Sequence, residues 1–181
     1  IYAAQAFGLN TSYACQLADD ENGRHFFREM QDAGIVTSQI SATNDEQRSG
    51  QCLVLVTPDA QRTMCTDLGV SKDFSYARVN ESDLRAAKCL YIEGYLSASE
   101  LSSQSAARSA ALANASSTQV ALTLSDISMI EFCRDGITAI MGDGVDTLFC
   151  NADEATAWAK TDRLDIAISE LKDIAKELYV T

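Results

Sequence analysis

The hydrophobic and polar positions of this chain alternate between two periods. A helix is expected from Glu21 to Ala33, with Asp20 at its N-cap and Gly34 closing it. Short extended segments are expected at residues 12–17, near 35–40, and at 51–57 and 62–67. The run Gln51 to Thr57, turning at Pro58-Asp59-Ala60 into Arg62 to Asp67, predicts a β-hairpin. Beyond it, strands at 89–92, 118–124 and 145–150 are separated by helical stretches at 81–87, 100–114 and 127–141. Ser and Ala crowd residues 97–117, where Leu101, Ala106, Ser109 and Leu112 allow an amphipathic surface helix. The clearest helical repeat comes last. Leu164, Ala167, Ile168, Leu171, Ile174, Ala175 and Leu178 recur at three and four, opposite Asp165, Lys172, Asp173 and Lys176. This predicts one helix through Leu178, with Tyr179-Val180-Thr181 opening a strand.

Alternating strands and helices with apolar strands imply an α/β fold, a parallel sheet with helices on both faces. The hairpin breaks the alternation and fits a small β lid. In open α/β sheets ligands gather at the carboxyl ends of the strands, which directs attention to the residues after 89–92, 118–124 and 145–150.

Composition narrows the classes of function. The 181 residues are 46% hydrophobic and 22% charged, ordinary for a globular chain. The net charge is −12, with no Lys/Arg cluster, which argues against nucleic acid or an anionic membrane as partner. The longest apolar runs, such as Cys52–Val56, suit strands and are far too short to span a bilayer. Six scattered cysteines and a single histidine, without a C-x-x-C pair, disfavour zinc. Most of these cysteines lie in apolar runs and read as small buried hydrophobes in a reducing, cytoplasmic setting. The chain opens on Ile1 without an initiator Met, so the natural N-terminus is expected elsewhere.

Several polar constellations follow the predicted strands, each with two readings. Asn151-Ala152-Asp153-Glu154 is a capping box, or a strand-end Asn and first-turn Glu that hold a hydrated Mg²⁺ and a phosphate. Arg62 is a solvated turn residue, or a lid arginine that neutralises a transferring phosphoryl group. Asp126, after Leu124-Ser125, is an N-cap or a ligand-facing carboxylate. Glu93 precedes Gly94, whose missing side chain allows close backbone approach. His25, beside Phe26 and Phe27, reads as structural, and Gly142-Asp143-Gly144 as a turn without the P-loop lysine.

Taken together these segments resemble the PfkB (ribokinase-like) carbohydrate kinase family. Gly8-Leu9-Asn10-Thr11 through Ala18-Asp19-Asp20-Glu21-Asn22-Gly23 is similar to its first signature, with Ala18 departing from a common Gly. Gly50 to Met64 resembles the lid strand and arginine turn, and Asn151 to Glu154 the N-x-x-E motif. Tyr91-Ile92-Glu93-Gly94-Tyr95-Leu96 and Leu122-Thr123-Leu124-Ser125-Asp126 extend the match, most similar to the bacterial adenosine-kinase-like branch. The resemblance implies ATP-dependent phosphorylation of a primary hydroxyl of a sugar or nucleoside. It implies Arg62 near the transferred phosphate, Asn151 and Glu154 organising phosphate and Mg²⁺ (Glu154 directly or through water), and Glu93, Ser125 and Asp126 on the substrate side. It also implies that the chain is the middle of one partial domain, 1–181, with 35–70 contributing lid strands. The G-G-x-x-x-N substrate segment is then expected before Ile1. The G-A-G-D segment with the catalytic aspartate is expected beyond Thr181, so the fragment alone should be inactive. The open lid edges allow a homodimer. The alternative function is a truncated, non-catalytic binding or scaffold protein that keeps the fold.

Overall fold

Two compact units, Ile1–Arg78 and Val79–Thr181, make up the computed structural model of the protein, which describes residues 1–37 and 47–181. In the first unit a short helix α1 (Tyr2–Ala6), absent from the sequence pattern, precedes β1 (Ser12–Tyr13), α2 (Glu21–Asp32) and β2 (Val36–Thr37). β1 and β2 pair in parallel. The expected strand at 12–17 is thus two residues long. The predicted extended segment beyond Thr37, and the lid prediction over 38–46, lie outside the described residues.

α2 starts and stops as its flanking residues require. The Gly23 amide donates to Asp20 Oδ1 at 2.7 Å, and Gly34 takes a left-handed φ of +76° just past the C-cap. Asp20 also reaches far along the chain. It accepts from the Ser49 amide (2.7 Å) and the Ser49 hydroxyl (2.8 Å), while the Ala18 amide donates to Ser49 Oγ at 3.1 Å. Burial opposes charge on Asp20, but the hydrogen bonds from Gly23 and Ser49 outweigh it and hold the carboxyl below its ordinary value. Gly23 is buried within this knot, where a β-carbon would overlap the Ala18 carbonyl and crowd Ser49 Oγ.

The knot anchors the foot of the hairpin. β3 (Gln51–Val56) and β4 (Arg62–Asp67) pair antiparallel from Gln51↔Asp67 to Val56↔Arg62, as the sequence predicts. Every residue of both strands is exposed.

The second unit contains α3 (Glu81–Ala86), β5 (Cys89–Glu93), α4 (Glu100–Ala115), β6 (Gln119–Thr123), α5 (Ile127–Phe132), α6 (Arg134–Met141), β7 (Val145–Cys150), α7 (Ala152–Ala159), α8 (Leu164–Leu171) and β8 (Ala175–Val180). The sheet runs β5-β6-β7-β8, all parallel. The α/β class and the parallel sheet are those the pattern implied. Sequential order combined with right-handed crossovers carries the connecting helices to one face of these strands. Beneath them Val120, Leu122, Leu124, Ile137, Ile140, Leu148 and Leu171 are fully buried. The opposite face carries Tyr91, Phe149 and Tyr179, with ring centroids 6.1 and 5.1 Å apart along the row.

Four expectations are corrected here. The helix predicted through Leu178 ends at Leu171, and Ala175–Val180 is strand β8. Pairing with β7 decides this: Leu178 and Val180 pack against the core while Tyr179 stacks on Phe149, an alternation that short apolar runs share with a helical repeat. The helix predicted over 127–141 is two helices, broken at Cys133. α4 buries Ser102, Ser105, Ala106, Ser109, Ala110 and Ala113, and leaves Leu101 exposed. The Ser105 and Ser109 hydroxyls donate to the carbonyls four residues back, so they enter the interior satisfied. Of the six cysteines only Cys150 is buried; Cys52, Cys65 and Cys89 are exposed, two of them on the hairpin. Among the described residues no helix is long and apolar enough to cross a membrane.

The Asp20 knot makes a direct prediction. Gly23→Ala should destabilise the first unit by about 1–3 kcal/mol, the scale of an overpacked site. Urea unfolding followed by a probe in that unit checks it, and an unchanged midpoint would show that the crowding is relieved without strain.

Candidate functional site

The strand-end residues of the second unit meet at a common level. β5 ends at Glu93, β6 is followed by Leu124-Ser125-Asp126 and β7 by Asn151, and the register pairs Glu93 with Thr123 and Thr123 with Phe149. Gly94 lets the end of β5 run close against β6. A β-carbon there would lie 2.6 Å from the Thr123 carbonyl and 2.8 Å from that of Leu124. Glu93 Oε2 consequently stands 3.5 Å from Ser125 Oγ. Ser125 itself takes a left-handed φ of +70°, uncommon for a residue with a side chain.

Asn151 and Glu154 form a complete capping box. Asn151 Oδ1 accepts the Glu154 amide at 2.7 Å, Glu154 Oε2 accepts the Asn151 amide at 3.1 Å, and Glu154 Oε1 accepts Asn151 Nδ2 at 2.9 Å. The box employs both carboxylate oxygens, one more acceptor than the sequence pattern requires. Glu154 is only 7% exposed. Burial pushes its carboxyl above the ordinary value, the Asn151 amide pulls it back, and the charges of Asp126 and Asp153 push it up further. Asp126 is therefore within electrostatic reach of Glu154, while its own carboxylate caps α5 through the Ser128 amide at 2.7 Å.

Arg62 belongs to the other unit. It opens β4 opposite Val56, and its guanidinium forms no ion pair with a described residue. The preceding turn is tied by its own side chains. Asp59 accepts from the Thr57 hydroxyl and, at 3.3 Å, from the Gln61 amide, which hold its carboxyl below the ordinary value. Ala60 adopts a φ of +63° within it. His25 is exposed on α2, beside a cleft of about 260 Å³ lined by Asn22, Phe26, Glu29 and Ser49.

The structure thus brings Glu93 to Ser125, and Asp126 towards Glu154. One further residue near the strand ends, Tyr91 on β5, escaped the sequence reading. Burial and the neighbouring charge of Glu93 push its phenol above the ordinary value. The signal was the period of two: Tyr91 and Glu93 alternate onto the same face of β5. Among the described residues no three His, Cys, Asp or Glu side chains converge to hold a metal ion by themselves.

Comparison with known proteins adds the following. The family described as pfkB family carbohydrate kinase matches residues 1–181. The 5-dehydro-2-deoxygluconokinase of Shouchella clausii (strain KSM-K16) is 28% identical over 127 residues, 65% of this chain and 36% of the relative. The adenosine kinase of Sinorhizobium meliloti superposes with a TM-score of 0.92 at 26% identity, over 99% of this chain and 55% of its own. The Anopheles gambiae adenosine kinase in complex with P1,P4-di(adenosine-5) tetraphosphate does so with a TM-score of 0.86 at 26% identity, over 99% of this chain and 58% of its own. The chain spans about half the length of these two structures and about a third of the gluconokinase.

Glu154 predicts a pH dependence of definite sign. A carboxyl raised in the fold binds its proton to higher pH than in the unfolded chain, so stability falls as pH rises above the ordinary value of 4.5. Glu154→Gln lacks this dependence and forfeits one of the two Asn151 bonds, a constant offset. The melting temperature of Glu154→Gln relative to wild type should therefore rise with pH through that window. A difference independent of pH would show that Glu154 does not titrate differently in the fold.

Proposed function

Because the chain belongs to the pfkB family of carbohydrate kinases, we propose that the protein carrying it transfers the terminal phosphoryl group of ATP to a primary hydroxyl of a sugar or nucleoside. The observation that carries this reading is the superposition on Sinorhizobium meliloti adenosine kinase across 99% of the chain. The strand-end cluster supports it, since it gathers hydrogen-bonding side chains where open α/β sheets receive ligands.

The residues take distinct roles in this reading. Arg62, exposed and without an ion-pair partner among the described residues, is the cation available to neutralise charge that builds on the transferring group. Asn151 and Glu154 organise the phosphate and Mg²⁺ side. The donor set fits magnesium of one kind: a buried oxygen ligand whose charge is opposed by Asp126 and Asp153 would gain from a nearby dication. With no converging trio of protein ligands among the described residues, water and phosphate oxygens would fill most of the shell, the usual habit of this ion. When bound, Mg²⁺ supplies charge neutralisation on the phosphates. Glu93, Ser125 and Asp126 lie on the acceptor side. Asp126 has its carboxylate engaged as a helix cap, so it contributes field more than contact. The base that takes the hydroxyl proton would be the aspartate of a G-A-G-D motif, which these 181 residues lack. The 181-residue polypeptide alone is accordingly proposed to be inactive. A cytoplasmic setting and a homodimer through the hairpin belong to the same reading; exposed Leu53, Val54, Leu55, Val56 and Met64 support the pairing.

Incubating the natural protein with ATP, Mg²⁺ and a panel of sugars and nucleosides should give acceptor-dependent ADP release. Binding of acceptors without any transfer would favour a non-catalytic relative of the fold. Arg62→Ala should lower kcat by about 10²–10³-fold, with little change in the acceptor KM, as expected when one preorganised electrostatic donor is lost. An unaltered kcat would return Arg62 to the role of a solvated turn residue. Glu154→Gln should need more free Mg²⁺ for half-maximal rate, and wild-type magnesium dependence would remove Glu154 from the metal side.

A further inference from the structure

Every residue of β3 and β4 is exposed, yet residues that flank the ladder are packed. Ser49 is 5% exposed and Val70 3%. The two chain segments cross in contact at this level, where the Val70 amide donates to the Arg48 carbonyl at 2.9 Å. Two glycines make the crossing possible. A β-carbon on Gly69, whose φ is +50°, would lie 2.2 Å from the Arg48 carbonyl oxygen, and one on Gly50 2.9 Å from that of Leu68. Ser49 is held from the side of α2. Its amide and hydroxyl donate to Asp20 Oδ2 and Oδ1 at 2.7 and 2.8 Å, and its hydroxyl accepts the Ala18 amide at 3.1 Å. On the outgoing side Arg78 Nε donates to Gln16 Oε1 at 2.8 Å, and Ser71 Oγ approaches the Gln16 carbonyl at 3.5 Å.

A packed root beneath a bare ladder makes the hairpin a lever. Arg62 pairs with Val56 at the end of the ladder away from the root. At about 3.3 Å per residue, the run from Ser49 to Val56 sets Arg62 about 23 Å out, where a tilt of about 5° at the root displaces it by about 2 Å. The ladder shelters no face that would correct such a tilt. The direction of the hairpin is accordingly set at Ser49. The bonds there run to a carboxylate held in its ionised form, and such bonds are stronger than those between neutral groups.

We propose that Asp20 is a positioning residue for phosphoryl transfer: through Ser49 it fixes the direction in which the hairpin leaves α2, and so the place of Arg62. The proposal rests on the role proposed for Arg62. Its geometry lies wholly within the first unit. Asp20 touches no reacting group in this assignment, and its effect passes through the backbone of β3.

Asp20→Asn in the natural protein is the test. Asparagine caps a helix as well as aspartate does, while its side-chain amide would turn a donor toward the Ser49 amide. The variant should lower kcat about 10- to 100-fold, the scale of an ångström-sized misplacement. The KM values for acceptor and ATP should stay within about twofold, as for a loss felt in the transition state. In the Arg62→Ala background the same change should cost less than about twofold, since the two residues act as one unit. Equal losses in both backgrounds, or a kcat that Asp20→Asn leaves unaltered, overturn the proposal. Should Asp20→Asn fail to fold, Ser49→Ala removes the hydroxyl's bond to Asp20 and keeps both the carboxylate and the cap. Its smaller loss of kcat should likewise vanish in the Arg62→Ala background, and a loss retained there overturns the proposal. A second readout does not depend on turnover. Nitroxide labels on ketone-bearing residues introduced at the exposed positions Arg28 of α2 and Gln61 of the turn report the hairpin's direction as a distance distribution. Asp20→Asn should broaden that distribution, and an unchanged one overturns the proposal. A wild-type kcat in Arg62→Ala overturns the role of Arg62 and with it the catalytic part of the assignment, leaving the distances to decide whether Asp20 sets the hairpin.

Discussion

The second unit depends above all on the register of its parallel ladder. Glu93, Thr123, Phe149 and Tyr179 are carried side by side across four strands. A slip of one residue in any strand would turn its buried set outward and its polar end inward. With the register kept, Ile92, Leu122 and Leu148 face the helices, and the polar termini finish at one level. Asp146 reinforces the other end of the sheet. It accepts the Val120 amide at 2.8 Å and Lys176 Nζ at 2.6 Å, bridging β6, β7 and β8 beyond the regular ladder. The placement of the side chains at the carboxyl ends therefore rests on apolar packing several residues away.

The same short-range device recurs at five of the eight α-helix starts among the described residues. Asp20, Asn80, Ser99, Asp126 and Asn151 each accept an amide of the first turn, so orphan donors at five helix starts are satisfied locally. At Asn151 and Asp126 the cap also gathers negative charge beside a partly dehydrated carboxyl. Capping and ligand chemistry are thus not rival explanations of these residues. A cap fixes a side chain in direction, which is the first requirement of a group that is to meet a ligand.

Much of this was legible in the sequence, for identifiable reasons. The hairpin announced itself through an apolar run and a second extended segment about a Pro-Asp-Ala turn, and the caps of α2, α5 and α7 through single residues at the right offset. These signals are local. The end of the chain was misread because Ile174, Ala175 and Leu178 satisfy a helical repeat and a strand alike, and only β7 decides between them. The cysteines were misread because an apolar run was equated with burial. In β3 and β4 the neighbours of Cys52 and Cys65 are as exposed as the cysteines. At the candidate site, Glu93 and Ser125 were visible as strand-end residues. Their meeting was not, since it follows from the passage of backbone past Gly94. Tyr91 lay two positions upstream and needed the strand's alternation to be noticed.

The exposed hairpin has a consequence for the thermodynamics of recognition. Its twelve ladder residues, Gln51–Val56 and Arg62–Asp67, shelter no apolar face, and a two-stranded ribbon in water is marginal on its own. Its amides should exchange with solvent through local opening, long before the buried strands of the other sheet release theirs. Any body that seats against the ribbon must order it. Association there should carry an unfavourable conformational entropy and a negative heat-capacity change from the apolar surface removed from water. Affinity would then rise with anything that stiffens the ribbon in advance, the Asp59 turn included, without a single new contact to the bound molecule.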